Sequence, residues 1–207
     1  MSRDHILHRV RTAIGRSAGQ PAAEVPPVRL HIPVVDLEAR ISSMLARVEA
    51  LAGKACRSAD PRAYVAEAIA GKTAVASNSP YLAECGITSL PGVRSGVTDR
   101  AELRALCATS DVGISSADYA LADTGTLVMI SSPQEARMIS LLPPAHIAVV
   151  PRERILTGLD ELFSILPDPA AQTSSMVLIT GPSRTADIEQ ILVRGVHGPG
   201  QITVVVV

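Results

Sequence analysis

The chain has 207 residues, a hydrophobic content of 47% and a formal net charge of −1, so it is long enough to bury a core without a disulfide or a metal. One Phe, three Tyr and no Trp leave few side chains for stacking on bases, and the balanced charge gives no basic surface, so we expect no nucleic-acid partner. No apolar run approaches the ~20 residues that span a bilayer, and no apolar signal core lies near the N-terminus, so we expect no membrane span and a cytoplasmic protein.

The three cysteines, Cys56, Cys85 and Cys107, are scattered and include no Cys-x-x-Cys pair. They match neither a zinc site nor the four thiolates of an ordinary four-iron cluster. We therefore expect no iron–sulfur cluster and no zinc in this chain, and its cofactor, if it has one, is unknown. Small buried hydrophobic residues in a reducing compartment are the favoured interpretation of all three.

The first predicted element is an amphipathic helix over Asp4–Arg16, with Ile6, Val10 and Ile14 on one face. Its arginines also suit a mitochondrial transit peptide, but a helix that docks through its apolar face is the favoured interpretation. The segment Gln20–Pro33 holds four prolines, which predict an extended strap.

A second helix is predicted from Asp36, which can cap it, up to Gly53, because apolar residues recur at helical spacing between them. We divide the chain at this glycine. Residues 1–53 are expected to form an N-terminal helical extension with a proline-rich strap, and residues 54–207 the main domain.

Residues 54–207 alternate helical patterns with short apolar, β-branched runs. Two helices open at side chains that can cap them, Asp60 before Pro61 and Asp99 with Glu102 three residues on. This alternation predicts an α/β fold with a largely parallel, buried sheet flanked by helices. The predicted strands are Thr73–Ser77, Val112–Ser115, Tyr119–Ala122, Thr126–Ser131, His146–Val150, Met176–Thr180 and Gln201–Val207, and the later helices are Pro133–Leu142, Leu159–Leu166 and Thr185–Val193.

The most informative polar segment follows the predicted strand Met176–Thr180, where Gly181-Pro182 interrupts the chain before a short predicted helix. Free N–H groups at a helix start, two hydroxyls and a guanidinium predict binding of a carboxylate or a phosphate. The alternative is an elaborate helix cap, with Arg184 paired to Asp187 or Glu189. The candidate ligands in this segment are Gly181, Ser183, Arg184, Thr185 and Asp187.

A glycine-rich loop with His197 and Gly198 follows that predicted helix. Its glycines let the backbone approach a ligand closely, and a loop imidazole can act near neutral pH. The alternative is a solvated histidine bonded to backbone. The other four histidines show no metal-ligand spacing with it, so we predict a contribution to anion binding and no metal.

Further candidates lie upstream. Asp123, Thr124 and Gly125 form a tight turn that joins two predicted strands as a hairpin, and such turns are commonly structural because aspartate bonds its own backbone. Arg137, on a predicted helix, can reach an anion. His146 is expected to begin a strand with its ring satisfied internally.

No conventional catalytic set is visible, so the catalytic residues are unknown. The loop Gly195-x-x-Gly198-x-Gly200 has the wrong glycine order for a dinucleotide fingerprint, and no phosphate-binding P-loop occurs.

Three segments carry a family resemblance, in the family's order: ADTGTLV over residues 122–128, RMISLLPPAHI over 137–147, and TGPSRTADIE with LVRGVHGP over 180–199. Together they closely resemble the LUD domain of the lactate utilization protein C (LutC/YkgG) family, over roughly Lys72–Val207. The resemblance implies a NagB/RpiA/CoA-transferase-like fold for residues 54–207. It also implies a site contribution from residues 123–125.

The resemblance further implies a role as the cluster-free LUD subunit of an L-lactate utilization system. Two iron–sulfur proteins are the implied partners in oxidising L-lactate to pyruvate, and this chain is expected to bind a small carboxylate or an anionic cofactor. The alternative is a stand-alone NagB-like enzyme or sensor that binds a sugar phosphate or a coenzyme A thioester. Against it, the chain has no lysine in the C-terminal segments, whereas isomerases and cyclo-ligases of this fold generally use a well-placed lysine. A purely scaffolding protein is a third possibility.

Gly125, Gly181 and Gly198 each interrupt a polar segment beside a predicted strand. We therefore predict that the three segments converge on one pocket at the carboxyl ends of the parallel strands, where α/β sheets bind ligands.

Overall fold

The computed structural model describes residues 2–17, 19–21, 29–186 and 192–207. Its α-helices are α1 (Arg3–Ala13), α2 (Leu37–Ala50), α3 (Pro61–Ala68), α4 (Pro80–Glu84), α5 (Arg100–Thr109) and α6 (Leu159–Ile165). Its strands are β1 (Lys54–Arg57), β2 (Ala74–Ala76), β3 (Val93–Arg94), β4 (Val112–Ser116), β5 (Tyr119–Leu121), β6 (Thr126–Ile130), β7 (Ala145–Val150), β8 (Ile155–Leu156), β9 (Met176–Ile179), β10 (Arg184–Ala186), β11 (Leu192–Arg194) and β12 (Gln201–Val206).

Six strands form a central sheet in the order β1-β12-β7-β4-β2-β3, and every neighbouring pair in it is parallel. The middle strands are largely apolar and mostly buried, because both faces of the sheet are covered. This arrangement confirms the predicted α/β fold with a largely parallel sheet flanked by helices.

Hydrophobic clusters cover the two faces of the central sheet. On one face, Val204 packs with Met44 of α2 and Leu127 of β6. On the other face, Val149 packs with Val65 of α3. Helix α2 therefore belongs to the hydrophobic core, although it lies in the segment assigned to the N-terminal extension. The division of the chain at residue 53 stays a prediction.

A second, smaller sheet has the order β8-β5-β6-β9 and lies over the face that α2 covers. In it β5 and β6 form the predicted antiparallel hairpin, and β9 pairs antiparallel with β6. Strand β9 therefore does not join the parallel sheet, and this decides where the chain after it lies.

Three predicted helix starts are confirmed by their caps. The side chains of Asp36, Asp60 and Asp99 accept hydrogen bonds of 2.8–2.9 Å from backbone N–H groups three residues on. Helix α1 also forms, but it has no buried residue, and its docking stays a prediction. Within the described residues, no helix combines the length and the apolar character needed to cross a bilayer.

Two predicted helices are wrong. In place of a helix over Pro133–Leu142 there is one 3₁₀ turn, Arg137–Ser140. The Gln134 carbonyl before it accepts from the Asn78 N–H at 2.9 Å, and the Glu135 carboxyl accepts from Ser77 and Ser116, so these groups bond to the central sheet and its flanking residues instead of within a helix. At the described ends of the helix predicted over Thr185–Val193 there are strands instead: β10 and β11 pair antiparallel, with the β-branched Thr185 opposite Val193. The predicted ligand Asp187 lies outside the described residues.

Candidate functional site

A cavity of about 570 Å³ lies between strand β9, the segments on either side of the β10–β11 hairpin and the 3₁₀ turn before β7. Its walls are partly apolar, with Val177, Ile179 and Leu141 among the lining side chains. Six of the predicted ligands line this one cavity: Arg137, Gly181, Ser183, Arg184, His197 and Gly198.

The cavity lies at the amino end of the parallel sheet. Ile202, the second residue of β12, lines it together with Pro199 before that strand and Ser140 before β7. The predicted position at the carboxyl ends is therefore wrong. The glycine-rich loop leads into its parallel strand, and a loop that enters a strand lies at the strand's amino end. Gly181 follows β9, which belongs to the second sheet.

The C-terminus of α2 supports one wall. The Arg184 guanidinium donates a hydrogen bond from Nη2 to the carbonyl oxygen of Leu51, the C-cap residue directly after α2. A helix C-terminus leaves its last carbonyl groups without helical partners and attracts a cation. Gly181 has φ +80°, and a Cβ there would lie 3.0 Å from the Leu51 Cβ. Arg184 is thus held at the cavity by a helix end.

The chain entering β10 has no free helix amides. The Ser183 N–H donates to the Pro199 carbonyl at 2.9 Å, and the Ser183 carbonyl accepts from the Gly195 N–H at 3.0 Å. Thr185 faces Val193 in the hairpin, outside the cavity lining. The predicted helix start at Thr185 is therefore wrong, because Arg184–Ala186 is a strand. The alternative pairing of Arg184 with Asp187 or Glu189 lies outside the described residues.

The glycine-rich loop closes the opposite side of the cavity. A Cβ on Gly198 would lie 3.5 Å from the Ser183 Cβ and 3.7 Å from Cδ1 of Leu141, so three distant segments meet there. The side chains of Arg137, Arg184 and His197 are exposed and line the cavity. None of the described residues that line it is acidic. The arrangement suits an anion that also has an apolar part.

The turn Asp123–Gly125 lies beside the cavity instead of in its wall. Gly125 has φ +69°, and a Cβ there would lie 2.8 Å from the Arg47 Cβ and 2.9 Å from the Val48 backbone nitrogen, both in α2. Asp123 lines a second cavity of about 310 Å³. Thr124 does not line the larger cavity, but its hydroxyl is linked through the Thr126 hydroxyl to that of Thr180, which does.

Comparison with known proteins decides the family, because the family model for the LUD domain matches residues 40–207. The chain belongs to the LUD domain family. The chain is 35% identical over 151 residues to "Lactate utilization protein C" of Halalkalibacterium halodurans, an alignment that covers 69% of this chain and 66% of that protein. It is 38% identical over 110 residues to the protein of the same name from Oceanobacillus iheyensis, covering 51% of this chain and 47% of the relative. The matched part of this LUD chain thus spans about half to two thirds of these relatives.

A solved structure shares the fold of this LUD domain. It is the crystal structure of a DUF162 family protein from Deinococcus radiodurans, with a TM-score of 0.64 and 18% sequence identity. The match covers 84% of this chain and 99% of that one.

Sequence reasoning missed a buried carboxyl group in this LUD domain. Glu135 lies at the carboxyl ends of β2 and β4, where its Oε1 accepts from the Ser77 hydroxyl at 2.9 Å and from the Ser116 N–H at 3.1 Å. Burial raises the pKa of Glu135 to about 7, against the opposing effect of these hydrogen bonds. The sequence signal for such a group is the polar residues Ser77 and Ser116, which end both buried strands, but the sequence pattern places Glu135 on a helix.

His146 is the second residue of β7, so its predicted place near the start of a strand is confirmed. Its predicted internal satisfaction is wrong for one nitrogen. Nε2 lies 2.7 Å from the Ser115 hydroxyl, whereas the buried Nδ1 has no hydrogen-bond partner among the described residues. Burial lowers the pKa of His146 to about 4, so the ring is neutral at physiological pH.

Proposed function

We propose that this chain is the cluster-free LUD subunit of an L-lactate utilization system and that its large cavity binds a small carboxylate or an anionic cofactor. The proposal is supported by the relatives, which are named lactate utilization protein C, and by the cations that line the cavity. Two iron–sulfur proteins are the proposed partners, and they carry the electrons when L-lactate is oxidised to pyruvate. This chain contributes recognition.

The observation that carries the proposal is the convergence of Arg137, Arg184 and His197 on one cavity from three separate segments. A guanidinium has five N–H donors in a planar fork. The bond from Arg184 to Leu51 occupies one and holds the group in place, which leaves others for a carboxylate. The apolar side chains in the wall, such as Val177 and Leu141, can contact the carbon skeleton of such an anion.

The volume of the cavity supports a second candidate. About 570 Å³ is within the range of sites for drug-sized ligands and exceeds what a three-carbon acid fills. A stand-alone NagB-like enzyme or sensor that binds a sugar phosphate or a coenzyme A thioester is therefore the alternative. The two candidates differ in the ligand that saturates the purified chain.

Complementation tests the proposed function. A strain in which this gene is deleted receives the parent gene, Arg137→Gln or Arg184→Gln, with Arg104→Gln on the exposed face of α5 as the matched control. We expect growth on L-lactate with the parent and the control and impaired growth with the two cavity variants. Full growth with both cavity variants, at equal protein levels, contradicts the proposal.

A further inference from the structure

Four side chains form a continuous hydrogen-bonded chain from one cavity to the other. The Thr124 hydroxyl lies 3.1 Å from Oδ1 of Asp123 and 2.8 Å from the Thr126 hydroxyl, which lies 2.8 Å from the Thr180 hydroxyl. Asp123 lines the smaller cavity, and Thr180 lines the larger, cationic one. The middle member, Thr126, is buried, with 4% of its surface exposed.

The carboxylate fixes the direction of every bond in this chain. A carboxylate oxygen only accepts, so the Thr124 hydroxyl donates to Asp123. Each hydroxyl has one hydrogen, so Thr126 must donate to Thr124, and Thr180 must donate to Thr126. The Thr180 oxygen therefore has no hydrogen left to give, and what it offers to the larger cavity is an acceptor.

The larger cavity thus combines guanidinium donors with one oriented acceptor. A 2-hydroxy carboxylate matches both, because its carboxylate accepts from arginine and its hydroxyl donates to Thr180. The ketone oxygen of a 2-oxo carboxylate only accepts, so it meets the Thr180 oxygen with lone pairs on both sides and no hydrogen between them.

We propose that the chain Asp123–Thr124–Thr126–Thr180 makes the large cavity selective for 2-hydroxy carboxylates over 2-oxo carboxylates. This inference rests on the proposed function, in which that cavity binds a small carboxylate. It also gives the turn at Asp123 a role in a site that it does not line.

Calorimetric titration of the purified chain with L-lactate and with pyruvate tests the proposal. We expect the parent to bind L-lactate about tenfold more tightly, the usual effect of one net hydrogen bond. Thr126→Val cuts the chain at a buried position and frees the Thr180 hydrogen to donate, so the preference falls to within about twofold of unity. Thr126→Ser keeps the hydroxyl and retains the preference, a result that a merely structural role for Thr126 does not predict.

Equal binding of the two ligands by the parent overturns this inference and leaves the carboxylate site standing. An unchanged preference in Thr126→Val overturns it as well. Binding of neither ligand overturns both this inference and the small-carboxylate form of the proposed function. Should Thr126→Val fail to fold, Thr180→Val removes the acceptor at an exposed position, and a retained preference for L-lactate in that variant contradicts the proposal.

Discussion

Replacing Glu135 with Gln removes a carboxyl group that the fold prefers in its protonated form. Burial raises the pKa of Glu135 to about 7, above its ordinary value of 4.5. The folded state therefore binds this proton more tightly than the unfolded state does. The resulting stability is fully present below pH 4.5 and is lost as the pH rises to 7. A glutamine keeps an oxygen for the Ser77 hydroxyl and the Ser116 N–H but never becomes charged.

The magnitude follows from the two pKa values of Glu135. Their difference corresponds to about 3 kcal/mol of the free energy of unfolding once the carboxyl group is ionised in both states. About 1 kcal/mol or less of this is already lost at pH 5. Glu135→Gln should therefore gain about 2–3 kcal/mol relative to the parent between pH 5 and pH 8. For a protein of this size, that gain raises the difference between their unfolding temperatures by about 4–12 °C.

Thermal unfolding of both proteins, followed by circular dichroism at pH 5, 6.5 and 8, measures this difference. Titrating groups that do not act on Glu135, such as His146, contribute equally to both proteins and cancel, whereas the Asp118 carboxylate is itself one cause of the raised pKa of Glu135. Glu49→Gln, on an exposed position of α2, is the matched control for the same change of side chain at the protein surface. A constant difference between Glu135→Gln and the parent across this pH range would refute the reasoning.

Two further predictions concern stability. Burial lowers the pKa of His146 to about 4, so the stability that depends on its neutral form is full above pH 6.5 and is lost as the pH falls towards 4. The free energy of unfolding of His146→Leu, measured with urea, should rise by about 3 kcal/mol relative to that of the parent when the pH falls from 7.5 to 4. No such rise would count against a buried neutral ring. Gly125→Ala should lower the free energy of unfolding by about 1–2 kcal/mol because of the positive φ, and by a further amount because the new methyl group clashes with α2. Gly71 has a similar φ but open space around it, so Gly71→Ala should lose only the contribution from φ. Equal losses of thermal stability in the two glycine variants would remove the inferred contact between the turn and α2.

Local signals predicted much of the fold. The aspartates at positions 36, 60 and 99 cap their helices as expected, because a cap needs only residues within one helical turn. The buried parallel strands followed from apolar runs of the right length. The helix predicted over Thr185–Val193 was wrong because the residue types there suit a helix. In the structure Thr185 instead pairs with Val193 across two antiparallel strands, a contact that the local pattern does not show.

The site was predicted in its residues better than in its position. Six predicted ligands line one cavity, but its place at the amino end of the sheet depends on β9 joining a different sheet from β12. The bond from Arg184 to Leu51 joins residues 133 positions apart, and no spacing rule reveals it. The burial of Glu135 could not be predicted because its carboxyl group bonds to Ser77 and Ser116, which only the folded sheet brings close to it.

The most direct test of the carboxylate site is a crystal structure of this chain soaked with L-lactate at a concentration that saturates it by calorimetry. The account predicts the carboxylate in the large cavity, about 3 Å from the guanidinium nitrogens of Arg137 or Arg184, with the lactate hydroxyl on the Thr180 oxygen. L-lactate bound elsewhere on the protein, with water alone between the two arginines, would contradict it.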